Sequence, residues 1–466
     1  MDKKICIKVL KFGGECLRNS ENILKTVEII MSEKCFPIVV ISAAEGITDL
    51  LIDGIIKSKE KEVNVSETIS KLTEKHYALA QESISNNTVL NKTFRNITLL
   101  VKKVERLLYG VSYTDEVTEA VRAHIMSFGE RIAAVVMSGI LEDKGVDSTV
   151  IETDKIGLVT NKSSSEQYEN ATVNLEEFKR KFKFTAQTII NGGVIPIMTG
   201  FFGSTQDGKV TTFGRNGSDY TASVMAYGFS AKELIIWKDT EVFTSADQKL
   251  VKEARVIERL SYYEAAELSY FSDRILHPLT IEPIAGTGIP IVIKNIHTPD
   301  AKGTIISSDA YIDENIIKSI AYNKNICMIR IHGTGIGYKP GLMREIGNAL
   351  SDENINIFAT VTSQTTINIL LESKDADISF GILNHFKGGG LIERVDFIRD
   401  VVLVAIVGEG LLKRRGIFAK ILNAVSLIKV NVEMASAGAS EVAIYIIIPN
   451  DDLWDVVNVI HKEFFG

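Results

Sequence analysis

The feature that most narrows the fold is a repeat in the last third of the chain. "ICMIRIHGTGIGYKPGLMREIGNALSDENINI" begins at Ile326, and "VVLVAIVGEGLLKRRGIFAKILNAVSLIKVNV" begins at Val401. The two align without a gap. Gly333 falls on Gly408, Gly335 on Gly410, Gly341 on Gly416, Ile346 on Ile421, Asn348 on Asn423 and Asn356 on Asn431. Each copy reads as strand, glycine-containing loop, helix and strand. In the second, Ile417, Ile421, Ala424, Val425 and Ile428 recur at helical spacing on one face. A further strand-like run follows each copy, "TINILLE" and then "EVAIYIII". The pattern predicts two βαββαβ ferredoxin-like modules.

Ahead of residue 300 the texture is different. "ICIKVLKF" and "FPIVVISAA" are apolar on both faces, with a helix predicted between them from about Ser20 to Ser32. Residues 60 to 140 read as helical. Strand-like runs return at "TIINGGVIPIMTGFFG", "ELIIWKD" and "PIVIKN". Strands apolar on both faces and alternating with helices predict an α/β unit built on a mainly parallel sheet. A chain of 466 residues is too long for one core. The expected organisation is the α/β domain over 1–300, a first repeat region over 301–395 and a second over 396–466, the last sharing the 301–325 segment in its sheet.

Composition excludes several classes. Hydrophobic content of 45% and charged content of 24% are those of a soluble globular protein. A net charge of −7, without a Lys/Arg-rich tract, argues against nucleic acid as a partner. The cysteines Cys6, Cys16, Cys35 and Cys327 are scattered and form no CxxC pair. That argues against a disulfide framework or a zinc site and for a reducing cytoplasm. The amino-terminal apolar run is too short for a signal peptide, and no run reads as the ~18 apolar residues that span a membrane.

Five stretches carry candidate chemistry. In "KFGGEC", Lys11 ends a strand before Gly13 and Gly14. Such a turn can bring backbone N–H groups and a cation to a phosphate, and it can equally be an ordinary tight turn. It matches neither the GxxxxGK[ST] nor the GxGxxG pattern. In "ISAAEGITDLL", Ser42 and Thr48 suit a ligand crevice at a strand's carboxyl end, or cap the next helix. In "SFGERIAA", Glu130 can bind a substrate ammonium or simply pair with Arg131. "GFFGSTQDGKVTTFGRNGSDYTAS" reads as a hairpin with a "DG" turn, then a glycine-flanked helix entrance. There Ser218 is a candidate N-cap, Arg215 a fork for a carboxylate and Asp219 a partner for a lysine or a metal. In "WKDTEVF", Asp239 ends a strand, while Trp237 and the later His277 read as structural.

Taken in order, KFGG, SAxxGITDLL, SFGERxxA, GFxGSTxDGxxTTxGRxGSDYTA, WKD and YFxxxxLHPxTIEP resemble the aspartate kinase family, with two regulatory ACT domains behind them. The resemblance covers nearly the whole chain, and GRNGSDYTA is its most specific block. It implies a three-layer αβα amino-acid-kinase domain that uses ATP and Mg²⁺ to phosphorylate the β-carboxylate of L-aspartate, the first step toward lysine, threonine and methionine.

Roles carry over by position. Lys11, Gly13 and Gly14 match the family's phosphate-binding segment, and Ser42 a residue beside the phosphates. Thr48, Glu130, Arg215 and Ser218 match aspartate-binding positions. Asp219 matches the group that orients Lys11. Lys238, Asp239, Thr244, Lys249 and Arg274 match nucleotide-side positions. Mg²⁺ is expected to arrive with ATP, without a dedicated metal site. Val242 stands where Gly is usual and Thr244 where Tyr is common, so the adenine-side contacts depart from the pattern. Ile336, Gly341, Leu342, Met343, Ser363 and Gln364 match the effector site of lysine-sensitive relatives. Gln364 stands where a Glu often holds the effector's ammonium. Lysine is the first expected effector and threonine the second, with a homodimer or tetramer formed through the ACT domains. Lys11→Ala is expected to leave folding intact. The alternatives are a kinase of the same fold acting on glutamate or another carboxylate, and an inactive amino-acid sensor.

Overall fold

The computed structural model describes residues 5–161, 168–239, 242–271, 276–309, 311–312, 316–389 and 392–466. It separates into two compact units. The first is Met1–Phe243 with Val256–Ala310, and the second is Thr244–Arg255 with Tyr311–Gly466.

The strands of the first unit are β1 (Ile7–Phe12), β2 (Phe36–Ile41), β3 (Ser148–Ile151), the short pair β4 (Thr160–Asn161) and β5 (Thr172–Val173), β6 (Ile195–Thr199), the hairpin β7 (Phe202–Ser204) and β8 (Val210–Thr212), β9 (Glu233–Lys238), β10 (Arg259–Ser261), β11 (Ile291–Asn295) and β12 (Thr304–Ser307). Its helices are α1 (Ser20–Ser32), α2 (Ile47–Ser58), α3 (Val63–Ser83), α4 (Asn87–Thr114), α5 (Glu119–Met126), α6 (Phe128–Asp143), α7 (Leu175–Gly192), α8 (Gly217–Phe229) and α9 (Tyr262–Phe271). Eight strands form one sheet in the order β10-β12-β11-β9-β1-β2-β6-β3. Neighbours run parallel except at the β11–β12 step. Successive strand residues face opposite sides, so strands buried along nearly their whole length must be covered on both. α6 packs on β2, β3 and β6, and α8 on β1, β2 and β9, which completes the αβα layering.

Two sequence expectations change here. Glu119–Asp143 is long and apolar enough to cross a membrane, but 83% of its apolar window is buried within the unit, so it is a core segment. Cys6 and Cys35 form a disulfide, joining the residue before β1 to the residue before β2. Cysteine usage therefore no longer argues for a reducing compartment. Cys16 and Cys327 are free and buried.

The second unit is a six-stranded antiparallel sheet of β13 (Ser319–His332), β14 (Ala359–Thr362), β15 (Thr366–Glu372), β16 (Arg394–Val407), β17 (Met434–Ala437) and β18 (Ala443–Pro449), in the order β14-β15-β13-β16-β18-β17. Its helices are α10 (Leu342–Ser351), α11 (Ala376–His385), α12 (Ile417–Leu427) and α13 (Leu453–Phe465). The repeated glycines have a backbone reason. Gly341 and Gly416 open α10 and α12 at φ +91° and +85°, where a Cβ is strained.

The two modules share their central strands. Ser319–Asn323 pairs with Leu403–Val407, and Ile326–His332 with the amino-terminal half of β16, with a register irregularity between. α10 and α11 cover one half, with Leu342, Ile346, Leu350 and Leu383 in its core. α12 and α13 cover the other, with Ile421, Val425, Val456 and Ile460 in its core. The excursion 244–255 belongs here because its side chains are spent here. Ala246 and Val251 join the second core, Ser245 Oγ lies 3.0 Å from a His461 ring nitrogen, and the Tyr322 hydroxyl donates to Asp247.

Candidate active site

β1 lies between β2 and β9, with Lys11 level with Val40 and Ile236 and Phe12 level with Ile41 and Trp237. The carboxyl ends of three parallel strands therefore finish together. The segments that follow them, Gly13-Gly14, Ser42-Ala43 and Lys238-Asp239, flank one crevice, the place where open α/β sheets bind ligands. A Cβ on Gly14 would lie 2.7 Å from the Ala43 carbonyl oxygen. One on Gly13 would lie 3.5 Å from Lys11 Nζ. Neither glycine has a positive φ. Both serve close approach rather than an unusual turn. The chain continues in a single 3₁₀ turn, Gly14–Leu17, and α1 starts only at Ser20, capped by the Asn19 side chain.

At the floor of the crevice Lys11 Nζ lies 2.5 Å from Asp219 Oδ1, and Lys238 Nζ lies 3.6 Å from Oδ2. All three side chains are buried. The contacts are ion pairs rather than well-directed hydrogen bonds to the carboxylate. Burial alone would raise the Asp219 pKa. Lys11 and then Lys238 outweigh it and hold the carboxyl below its usual range. Burial also lowers Lys11, with Lys238 adding to the fall and Asp219 opposing it. Two ammonium groups share one carboxylate, so the cluster carries an excess positive charge in a dry place. It is suited to a phosphate.

Asp219 reaches this floor because α8 starts against the strand ends. A Cβ on Gly200 would meet Ser218 Cβ at 2.6 Å and the Ile41 carbonyl oxygen at 2.9 Å, so glycine there admits the first turn of α8. The N-cap is Asn216, at φ +55° and without a side-chain cap bond. Ser218 is thus inside the helix, contrary to the capping expectation, and lies buried beside Gly200. Arg215 is exposed just ahead of the helix.

Glu130 enters from α6. Its Oε1 accepts the Ala43 N–H at 3.1 Å, while its buried Oε2 has no hydrogen-bond partner among the described residues. Burial pushes its pKa up to about 8 against the weaker pull of that N–H, Arg131 and Lys11. Arg131 does not pair with it, but with Glu152 and Asp154. A buried carboxylate with an idle oxygen is a receptor for a cation. Gly46, at φ +73°, opens α2 without a side-chain cap, so capping does not account for Ser42 or Thr48.

Asp239 is held by Arg18 at 3.0 Å. Its neighbour Glu15 has a pKa raised by burial and then by a hydrogen bond with Asp239. Sequence reading passed over Glu15 and Arg18; two charged residues directly behind KFGG were the available signal. His277 caps a 3₁₀ turn, and Trp237 is buried and stacked on Phe12. Thr244 and Lys249 lie in the second unit. The Thr244 hydroxyl donates to the Ala246 carbonyl, and the Lys249 N–H to Asp247. Arg274 lies outside the described residues.

In the second unit, Ile336 and Leu342 are buried, while Met343 is partly exposed beside Gly341. The Gly337 N–H donates to the Gln364 carbonyl at 3.2 Å. A Cβ on Gly337 would lie 2.5 Å from Gln364 Oε1. The Ser363 hydroxyl accepts the Thr366 N–H at 3.0 Å. The strand end carrying Ser363 and Gln364 thus packs on the loop before α10.

A parallel-sheet unit with a Lys–Asp–Lys cluster at its strand ends, followed by a paired ferredoxin-like sheet, defines an α/β anion-handling protein with a separate βαββαβ unit. The chain belongs to the amino acid kinase family, whose model matches residues 7–295; ACT domain models match residues 321–384 and 404–464. It is 28% identical to aspartokinase 2, chloroplastic, of Arabidopsis thaliana, covering 98% of this chain and 84% of that protein. Identity is also 28% to the bifunctional aspartokinase/homoserine dehydrogenase 1 of the same plant, covering 98% of this chain and 51% of that one. The chain spans about half the length of the bifunctional relatives it matches. Among solved structures, the aspartate kinase of Clostridium acetobutylicum matches with a TM-score of 0.79, 25% identity, 98% of this chain and 100% of that chain. Aspartokinase III of E. coli, in complex with lysine and aspartate, matches with a TM-score of 0.82, 24% identity, 99% of this chain and 100% of that chain, a likeness of fold.

Proposed function

We propose that this chain transfers the terminal phosphoryl group of ATP to the β-carboxylate of L-aspartate, giving 4-phospho-L-aspartate. The observation that carries the reading is the buried Lys11–Asp219–Lys238 cluster beside two glycines that let the backbone approach a ligand. Its excess positive charge fits phosphate oxygens, and the buried idle oxygen of Glu130 fits the ammonium of an amino acid. The aspartokinase names of its relatives support the choice of substrate.

Phosphoryl transfer needs positioning and charge neutralisation more than covalent help. The acceptor carboxylate is already ionised near neutral pH, so no general base is required. Lys11 and Lys238 neutralise charge on the phosphoryl oxygens as it builds, and Asp219 holds both amines in place. Glu130 binds the substrate ammonium and Arg215 its α-carboxylate, with Thr48 and Ser218 alongside, so that one β-carboxylate oxygen points in line. Ser42, Gly13, Gly14 and Asp239 line the nucleotide side. Mg²⁺ arriving with ATP adds charge neutralisation on the phosphates. The ACT modules bind an amino-acid effector, lysine first, and pair between subunits in a homodimer or tetramer.

An ATP-coupled hydroxamate assay with aspartate and with glutamate tests this. Aspartate-dependent product is expected. Arg215→Ala should raise the aspartate KM by at least tenfold with the ATP KM nearly unchanged. Preference for glutamate, or no turnover with either, overturns the reading.

A further inference from the structure

The first unit has an open cavity of about 830 Å³ between α4, α5, the 152–155 turn and the β7–β8 hairpin. It is not the strand-end crevice, because none of Lys11, Glu130, Ser218, Asp219 or Lys238 lines it. α6 separates the two. Glu130 turns to Ala43, whereas Arg131 turns to the cavity. There its guanidinium lies 2.7 Å from both Glu152 and Asp154 and 4.5 Å from the Phe202 ring centre. That guanidinium is already neutralised.

The rim above it is not. Lys103 and Arg106, on one face of α4, are exposed and form no ion pair among the described residues. Lys155 and Lys209, on the opposite walls, are already paired with Glu152 and Asp207. The excess is felt inside the cavity. His124 is held below its ordinary pKa by burial first and then by Arg131, with Asp154 opposing and Lys103 adding to the fall. Lys155 is lowered by burial and by Arg131 and Lys103. Beneath the rim the walls are apolar, with Leu107, Val121, Phe128 and Val210 half-buried or buried. Two cations without an ion pair among the described residues, Lys103 and Arg106, over an apolar floor define the complementary ligand.

We propose that this cavity is a second small-molecule site, which takes an organic anion with an apolar body. The anionic head meets Lys103 and Arg106, and the body lies over Val121, Phe128 and Val210. The bland alternative is a solvated basic face of α4 above an empty groove. The two readings differ in whether charge and apolar body act together.

Calorimetric titration of the full chain with phenyl phosphate tests it, with inorganic phosphate and benzyl alcohol as controls. Phenyl phosphate should bind at least tenfold more tightly than either control. K103E/R106E, at exposed positions remote from the crevice, should lose at least tenfold in affinity while melting as the parent does. Val121→Trp, which fills the cavity and leaves its charge alone, should lose as much. An affinity for phenyl phosphate no higher than for inorganic phosphate, or unchanged in either variant, overturns the proposal. The readout is binding, so it stands apart from any assay of kinase turnover.

Discussion

Lys11 Nζ and Asp219 Oδ1 are 2.5 Å apart, both side chains buried, one at the end of the first strand of the chain and the other in the first turn of α8. The contact is structural as well as chemical. Lys11→Ala would leave Asp219 with Lys238 alone, at 3.6 Å. The expectation that this variant folds normally is therefore revised. Breaking a buried pair costs about 3 kcal/mol. Turnover should fall by about three orders of magnitude. The triple variant Lys11→Met/Asp219→Leu/Lys238→Met, which removes the whole buried cluster, should regain most of the stability and none of the turnover. Denaturant melts of the three proteins check this, and a Lys11→Ala melt identical to wild type would contradict it.

Glu130 makes stability depend on pH. It ionises near 4.5 in the unfolded chain and near 8 in the folded one. Between these values the folded state holds the extra proton, so this group's contribution to stability falls as pH rises and levels off above about 8. Glu130→Gln removes the fall, and its melting temperature relative to wild type should climb across that window.

The same carboxyl should shape substrate use. A substrate ammonium favours the ionised form, so the aspartate KM should decrease as pH rises toward about 8. In Glu130→Gln the KM should be higher and flat. A parallel pH profile in the two proteins would remove Glu130 from the substrate site.

The two glycines after Lys11 should respond differently. Gly14→Ala places a methyl 2.7 Å from a backbone carbonyl that has little room to move, whereas Gly13→Ala finds 3.5 Å beside a lysine tip. Gly14→Ala should cost about 1–3 kcal/mol, in the range of an overpacked site. Gly13→Ala should fold like the parent and mainly raise the ATP KM. Thermal melts paired with ATP titrations separate the two outcomes.

Gln364 offers a test of the effector. Replacing its neutral amide with a carboxylate should strengthen a contact to an ammonium, so Gln364→Glu should lower the half-inhibitory lysine concentration by about tenfold. Lysine and threonine inhibition curves, alone and together, measure it. Inhibition by neither at millimolar levels would end the regulatory reading.

Much of this protein was written in consecutive residues. The repeated glycines announced two modules because a backbone at positive φ selects Gly at Gly341 and Gly416 alike. Apolar runs announced the buried parallel strands, because a strand covered on both faces has no polar side. KFGG and GRNGSD marked the crevice, because close backbone approach selects for missing side chains. Tertiary structure alone decided what those segments do to one another. It set Lys11 and Lys238 on one carboxylate. It buried Glu130 and so raised its pKa. It gave 244–255 to the second unit and joined Cys6 to Cys35. Periodicity and turn chemistry act between neighbours in the chain, whereas desolvation and charge pairing act through space, and only the fold sets those distances.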